Sequence, residues 1–231
     1  LFTFVSDKLN IMASQTEENY LKSLYTLAKE KEEVGASELS NMLKVSLPTV
    51  NSMVKNLQKQ GLVHYEKYKP LTLTREGKKQ AALVLRKHRL TEMYLVQKMG
   101  FGWEEVHEIA EQVEHINSAV FFERMDELLD FPKIDPHGSP IPDKNGAVTL
   151  EPHEKLSNCH VGDSVKLIAL AYSSNDFLKF LNRMDLHLGT ELEIKSLEQY
   201  DKSITVSYKS HASEVLSQSI CDSLLVERLK Y

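Results

Sequence analysis

Apolar positions recur with a helical period from the first ordered-looking stretch onward. Tyr20, Leu21, Leu24, Leu27 and Ala28 share one face of residues 16–31, which predicts a helix there. Ser37 offers an N-cap hydroxyl for a short helix over 38–43. Ser46 caps a third helix running to about residue 60, with Pro48 in its first turn and Val50, Met53, Val54 and Leu57 turned inward. Gly61 ends it. Residues 62–68 and 71–74 read as two short strands around Pro70. Helix, short helix, turn, helix and β-ribbon is the order of a winged helix-turn-helix.

Thr74 caps a long helix over 75–99, which Gly100 and Gly102 break. A second long helix is expected over 103–129, with Val106, Ile109, Val113, Ile116, Val120 and Phe121 on one side. Helices apolar on more than one face need a partner, and a symmetric dimer supplies one. Residues 132–158 are rich in Pro and Gly and read as a linker. Beyond it the period shortens. Residues 164–171, 191–197, 203–209 and 223–228 look like strands, with one short helix over 175–182, so a small β-barrel of about 70 residues is expected. The expected organisation is an extension at 1–13 outside the fold, a winged-helix domain at 14–74, a helical domain at 75–131, the linker, and a β domain at 159–231.

Composition adds charge asymmetry. The net charge of −5 conceals a basic stretch at 36–90, with 11 Lys/Arg against 3 Asp/Glu, followed by an acidic one at 91–130, with 2 against 10. A basic segment beside an acidic one suggests a polyanion-binding part joined to a cation-binding part. No apolar run approaches the roughly 20 residues a membrane helix needs, and residues 1–12 lack the basic start and cleavage site of a signal peptide. Cys159 and Cys221 stand far apart, outside any CxxC pattern. They read as buried thiols in a reducing cytoplasm rather than a zinc site.

The acidic segment carries the candidate chemistry. Glu111, Glu114 and His115 stand at i, i+3 and i+4, and His107 lies one turn before Glu111. Helical spacing stacks them on one stripe. His88 and Glu92 form a further i, i+4 pair one helix earlier. Mixed carboxylate and imidazole ligands suit Mn, Fe, Co, Ni or Zn, and clustered carboxylates repel one another without a cation. His107-Glu108-x-x-Glu111 departs from the HExxH zinc-protease helix at its last position, and the Glu-x-x-His of di-iron bundles is absent among these ligands. No GxSxG, P-loop or GxGxxG is present, so an enzyme with a small organic substrate is not expected. His64, His137, His153, His160, His187 and His211 have no partner at ligand spacing and are read as ordinary histidines.

The basic segment suits DNA. In a helix-turn-helix the start of the second helix meets base edges, which selects Ser46, Pro48, Thr49, Asn51 and Ser52. Lys55, Lys59, Lys67 and Lys69 would serve phosphates, with Ser37 at the preceding helix. An acidic stripe that is structural, on a regulator answering another signal, is the alternative.

The motifs, in order, are Thr16-Glu17-Glu18-Asn19-Tyr20-Leu21, Ser46-Leu47-Pro48-Thr49-Val50, Arg86-Lys87-His88-Arg89-Leu90-x-Glu92, Val106-His107-x-x-x-Glu111-x-x-Glu114-His115 and Gly138-Ser139-Pro140-Ile141-Pro142. Together they resemble the diphtheria-toxin-repressor and manganese-transport-regulator family of metal-activated transcription factors. The resemblance implies a winged-helix DNA-binding domain, a helical metal-binding and dimerisation domain, and a C-terminal SH3-like domain. It implies a primary metal site at Asn19, Glu111, Glu114 and His115 and an ancillary site at His88, Glu92 and His107, with Asp176 as a candidate from the C-terminal domain. It also implies a cytoplasmic homodimer on double-stranded operator DNA. Glu111 stands where iron-type members have Cys, and Asn19 and Lys22 stand where manganese-type members have carboxylates. A carboxylate in place of a thiolate favours harder ions, so Mn2+ is preferred over Fe2+, while Co2+, Ni2+, Zn2+ or Cd2+ would also bind in vitro.

Overall fold

Ser14 opens the first helix as half of a capping box. Its Oγ accepts from Glu17 N, and its own N donates to the Glu17 carboxylate at 2.7 Å. In this computed structural model, which describes residues 14–28, 33–67, 69–149 and 152–229, helix α1 spans Gln15–Leu27. The extension at 1–13 and the expected end of the first helix at 29–31 lie outside the described residues. The chain forms two compact units. One comprises the residues up to Leu85 together with Lys144–Ala147; the other comprises Arg86–Asp143 with Val148 onward.

In the first unit, α2 spans Ala36–Leu43 and α3 Leu47–Lys59. The expected Ser37 cap is displaced: Gly35 is the N-cap, and Glu38 closes the turn by accepting from Gly35 N at 2.7 Å. Ser37 therefore lies inside the first turn, exposed. Glycine needs no side-chain acceptor when the acidic residue three positions on caps the backbone. Ser46 caps α3 as expected, accepting from Thr49 N, and Gly61 follows with φ +73°. The wing is shorter than its hydrophobic run: β1 is Val63–His64 and β2 Thr72–Leu73, paired antiparallel. Tyr20, Leu21, Leu24, Leu39, Val50, Val54, Leu57 and Leu71 make the core of this unit, while Met53 packs at its edge.

Helix α4, Arg75–Met99, has the expected bounds, and Thr74 Oγ1 accepts from Gly77 N at 3.0 Å. The long helix expected over 103–129 is two helices, α5 at His107–Val113 and α6 at Ala119–Leu128. Helix α5 ends at Val113 with Glu114 as its C-cap, and Ser118 takes extended backbone and caps α6 through Phe121 N. An N-cap residue cannot also continue the preceding helix. The apolar periodicity runs straight across this break, which is why it reads as one helix.

The Pro/Gly-rich segment after α6 is pinned to α4 by two arginines. Arg86 donates to the Pro142 carbonyl at 2.6 Å and pairs with buried Asp126. Arg89 donates to the Pro140 carbonyl and pairs with Asp135 at 3.3 Å. Prolines accept but cannot donate, so the donors must come from elsewhere. The turn at Asp135 is closed by its Oδ1, which accepts from His137 N and Ser139 N at 2.8 and 2.9 Å. Gly138 sits at φ +84° against the backbone of Ile168 and Ala169, where a Cβ would collide.

A six-stranded antiparallel sheet completes the second unit: β3 Glu154–Lys155, β4 Ser164–Leu170, β5 Glu191–Leu197, β6 Ile204–Tyr208, β7 His211–Leu216 and β8 Leu224–Arg228, in the order β3-β8-β4-β5-β6-β7. Helix α7, Asn175–Arg183, joins β4 to β5, and α8, Gln218–Ser223, precedes β8. The sequence pattern misses β7, whose outward positions include exposed Val215, and α8. Both cysteines are buried in this core, and burial pushes their thiols up, Cys159 to about 11 and Cys221 to about 12. Raised values keep both neutral at pH 8. Neither thiol should react with a thiol reagent there until denaturant unfolds the domain; rapid labelling of the native protein would contradict this.

Candidate metal centre

His88 and Glu92 face inward from the middle of α4, one turn apart, and both are buried. The start of α5 brings His107 to them. Glu92 Oε1 lies 3.1 Å from His88 Nε2 and 3.1 Å from His107 Nδ1, and the two imidazoles are 3.2 Å apart. These three side chains offer donor atoms within 4.8 Å of one another. Burial works against a charge on Glu92, but hydrogen bonds from His107 and His88 outweigh it and hold its carboxyl below the ordinary range.

A second group shares Glu92. Its members, Glu92, Asp135 and His137, are all buried, and their donor atoms also lie within 4.8 Å. His137 stands 3.8 Å from Glu92 through Nδ1, while its Nε2 lies 2.9 Å from the Trp103 carbonyl. A carbonyl only accepts, so Nε2 carries a proton, and Nδ1 is the nitrogen turned toward the carboxylates. A carbonyl holding one ring nitrogen so that the other can ligate is a common support for metal-binding histidines. Burial raises the Asp135 carboxyl most; Arg89 opposes this and Glu92 adds to it. Two buried carboxylates and an imidazole nitrogen are a donor set that suits a divalent cation, with Arg89 already offsetting part of the charge at Asp135.

His137 is thus the ligand-type residue that sequence reading passed over. It lies 45 positions from Glu92 in a Pro-rich loop, held there by the Asp135 turn, the two arginines and hydrogen bonds to Trp103 and Leu170. The one available signal was Asp135-x-His137 beside Gly138.

The expected primary-site residues in this unit are placed as follows. Glu114 is fully buried at the C-cap of α5, its Oε2 2.6 Å from His88 Nδ1. His115 Nε2 lies 3.6 Å from Glu114 Oε1. Glu111 is half exposed, 3.9 Å from His107 Nε2. These residues stand at and just past the end of α5 rather than along one unbroken helix. Asp176 is exposed in the first turn of α7 and belongs to neither three-residue group. Asn19 lies on α1, half-buried, in the other unit.

The single tryptophan reports on this region. Trp103 stacks on His137, with ring centroids 6.0 Å apart, and its Nε1 donates to Asn182 of α7 at 2.7 Å. Metal added to the protein should therefore change its intrinsic fluorescence, and His137→Ala should abolish the change. Unaltered emission at saturating metal would contradict the second group as a site.

In the first unit, Ser46, Pro48, Thr49 and Ser52 are exposed at the start of α3, with Asn51 half-buried among them. Ser46 and Thr49 hydroxyls lie 2.8 Å apart. Lys55 and Lys59 are exposed further along, and Lys67 and Lys69 on the wing, where Lys69 pairs with Glu66.

Residues 12–71 match the N-terminal DNA-binding domain of iron-dependent repressors, 74–143 their metal-binding and dimerisation domain, and 154–228 the FeoA domain. The diphtheria toxin repressor of Corynebacterium efficiens is 36% identical over 78% of this chain and 82% of its own length. The chain belongs to the diphtheria-toxin-repressor family. Its match to the iron-dependent repressor IdeR of Mycobacterium leprae, 37% identical, spans about half the length of each protein, 55% in both cases. A solved manganese-dependent transcriptional repressor in complex with manganese superposes with a TM-score of 0.83 at 31% identity, covering 92% of this chain and all of that one. Family membership fixes the three-part architecture: a winged helix, a helical metal-binding and dimerisation domain, and an SH3-like sheet domain. It leaves the individual ligands, the metal and the DNA contacts to be argued from this chain's own residues.

Proposed function

We propose that this chain is a metal-activated transcriptional repressor that binds operator DNA as a homodimer. One observation carries the reading: two groups of ligand-type side chains share the buried carboxylate of Glu92 inside the domain matched to metal binding and dimerisation. His88, Glu92 and His107 would hold one ion, and Asp135 and His137 extend the set. Glu111, Glu114 and His115 would hold another; Asn19 on α1 is a separate candidate ligand, the position the family resemblance assigns to the first helix. A bound cation would supply the positive charge that clustered carboxylates lack. The donors are oxygen and imidazole nitrogen with no thiolate, which supports Mn2+ ahead of Fe2+.

Ser46, Pro48, Thr49, Asn51 and Ser52 stand where a recognition helix meets base edges, and Lys55, Lys59, Lys67 and Lys69 supply phosphate contacts. Dimerisation is supported by a row of exposed apolar side chains on and beside α6, namely Ile116, Val120, Phe121, Leu128 and Phe131. Such a patch marks an association surface more often than bare solvent. A twofold dimer would set two recognition helices about one DNA turn, roughly 34 Å, apart. Metal and DNA then strengthen each other's binding by the same factor. No helix among the described residues is long and apolar enough to cross a membrane.

The test is operator affinity for the chain's own promoter region, measured with Mn2+, with Fe2+ under anaerobic conditions, and with chelator. Tight binding with metal that chelator abolishes supports the repressor. Equal binding in chelator would leave a DNA-binding protein whose acidic cluster is structural.

A further inference from the structure

Glu17 is a buried carboxylate on α1, 7% exposed, that the metal reading does not use. Its Oε2 accepts from Ser14 N at 2.7 Å, within its own helix. Its Oε1 reaches a different element: it accepts from Asn56 Nδ2 at 2.7 Å, on the recognition helix α3, and from Gln60 Nε2 at 2.5 Å, at the C-cap of that helix. Asn56 and Gln60 stand one turn apart near the C-terminal end of α3, so their two amides converge on one oxygen. Both are otherwise exposed, so burial of their own side chains does not hold them there. The pairing is long in sequence, 39 and 43 positions, and charge-assisted at the acceptor.

Asn19, the proposed ligand on α1, lies two positions beyond Glu17 on the same helix. Elsewhere α1 and α3 only share one apolar core, to which Leu21 and Leu24 come from α1 and Val50, Val54 and Leu57 from α3. Apolar packing is non-directional and tolerates a small slide of one helix past another. Two hydrogen bonds to a single buried oxygen do not, because their strength falls steeply with angle and distance. We propose that Glu17 is the positioning residue that transmits a displacement of the metal-holding helix to the recognition helix, so that the orientation of α3 follows that of α1. The inference rests on the proposed metal switch and names the element through which it acts. The residues doing it are a carboxylate at 17 and the amides at 56 and 60.

The test compares wild type, Glu17→Gln, Gln60→Ala and the swap Glu17→Gln with Gln60→Glu. For each, operator affinity is measured with Mn2+ and with chelator, and Mn2+ affinity is measured by calorimetry with and without operator. Thermal unfolding of each metal-free variant reports folding separately. If Glu17 transmits, Glu17→Gln and Gln60→Ala keep wild-type Mn2+ affinity in the absence of DNA, while the metal-induced gain in operator affinity falls by at least about fivefold. The operator-induced gain in Mn2+ affinity falls by the same factor, and the swap, which restores a carboxylate facing an amide, recovers both. Gln60→Ala leaves the α1 capping box untouched, so it carries the test if Glu17→Gln fails to fold. Wild type that responds to metal, beside variants that respond equally, overturns the role of Glu17 alone. Variants that lose stability but keep the full metal-induced gain overturn it too, since a merely structural clamp behaves that way. Wild type whose operator affinity ignores metal overturns the switch and this role together.

Discussion

A protein carrying both Glu111→Ala and His115→Ala is expected to fold as the parent does and to gain no operator affinity when Mn2+ is added. The two side chains stand on either side of the end of α5, with Glu114 between them. Glu111 is half exposed, so its truncation removes little packing; the His115 side chain is buried beside Glu114 but lies beyond the last helical residue, so its truncation costs some packing without interrupting a helix. What they offer is donor atoms. Removing two donors from a mixed carboxylate and imidazole set should lower metal affinity by at least about 100-fold, since even residues that only support a ligand are worth about 10–100-fold. The measurement is operator affinity with and without Mn2+, alongside circular dichroism of the double variant. Retention of the full metal-dependent gain would refute the assignment of these residues.

The second large effect concerns stability. Arg86→Ala should destabilise the second unit by about 3–5 kcal/mol, the range for stranding one member of a buried ion pair. Asp126 is 3% exposed and depends on the Arg86 guanidinium, and the Pro142 carbonyl loses its donor in the same substitution. By contrast Arg228→Ala, which breaks partly exposed pairs with Glu154 and Asp163, should cost less than Arg86→Ala, because solvent screens exposed pairs. Denaturant unfolding of the two variants, followed by Trp103 emission, reads the difference, since Trp103 lies in that unit. Equal midpoints would mean that the Arg86 pair does not hold the unit together. The prediction bears on function, since the segment that Arg86 and Arg89 pin to α4 is the one that delivers Asp135 and His137 to Glu92.

Local chemistry made much of this molecule legible. Thr74, Ser46 and Gly61 mark helix ends by the hydrogen bonds they offer or the backbone angle they accept, and those ends are where the residues predict them. Gly35 shows the limit of that signal, because Ser37 looks the better cap and loses to a glutamate three positions past a glycine. The ligand types on α4 and α5 were visible because i, i+4 spacing is a property of the chain alone. The break before α6 was not, because hydrophobic periodicity continues through Ser118, although α5 ends at Val113 and the capping bond from Ser118 to Phe121 N starts a new helix.

Most element types, the charge division between a basic winged helix and an acidic helical domain, the ligand-type residues at helical spacing and the family could be read from the chain alone. Each depends on residues within a few positions of one another, or on their identity. Tertiary structure alone decided that Glu92 serves two ligand groups, that a Pro-rich loop supplies Asp135 and His137, and that Glu17 ties the first helix to the recognition helix. Those pairings close loops of some forty residues, and nothing in local spacing records them. They exist because burial leaves a carboxylate only the partners that the fold brings within hydrogen-bond reach.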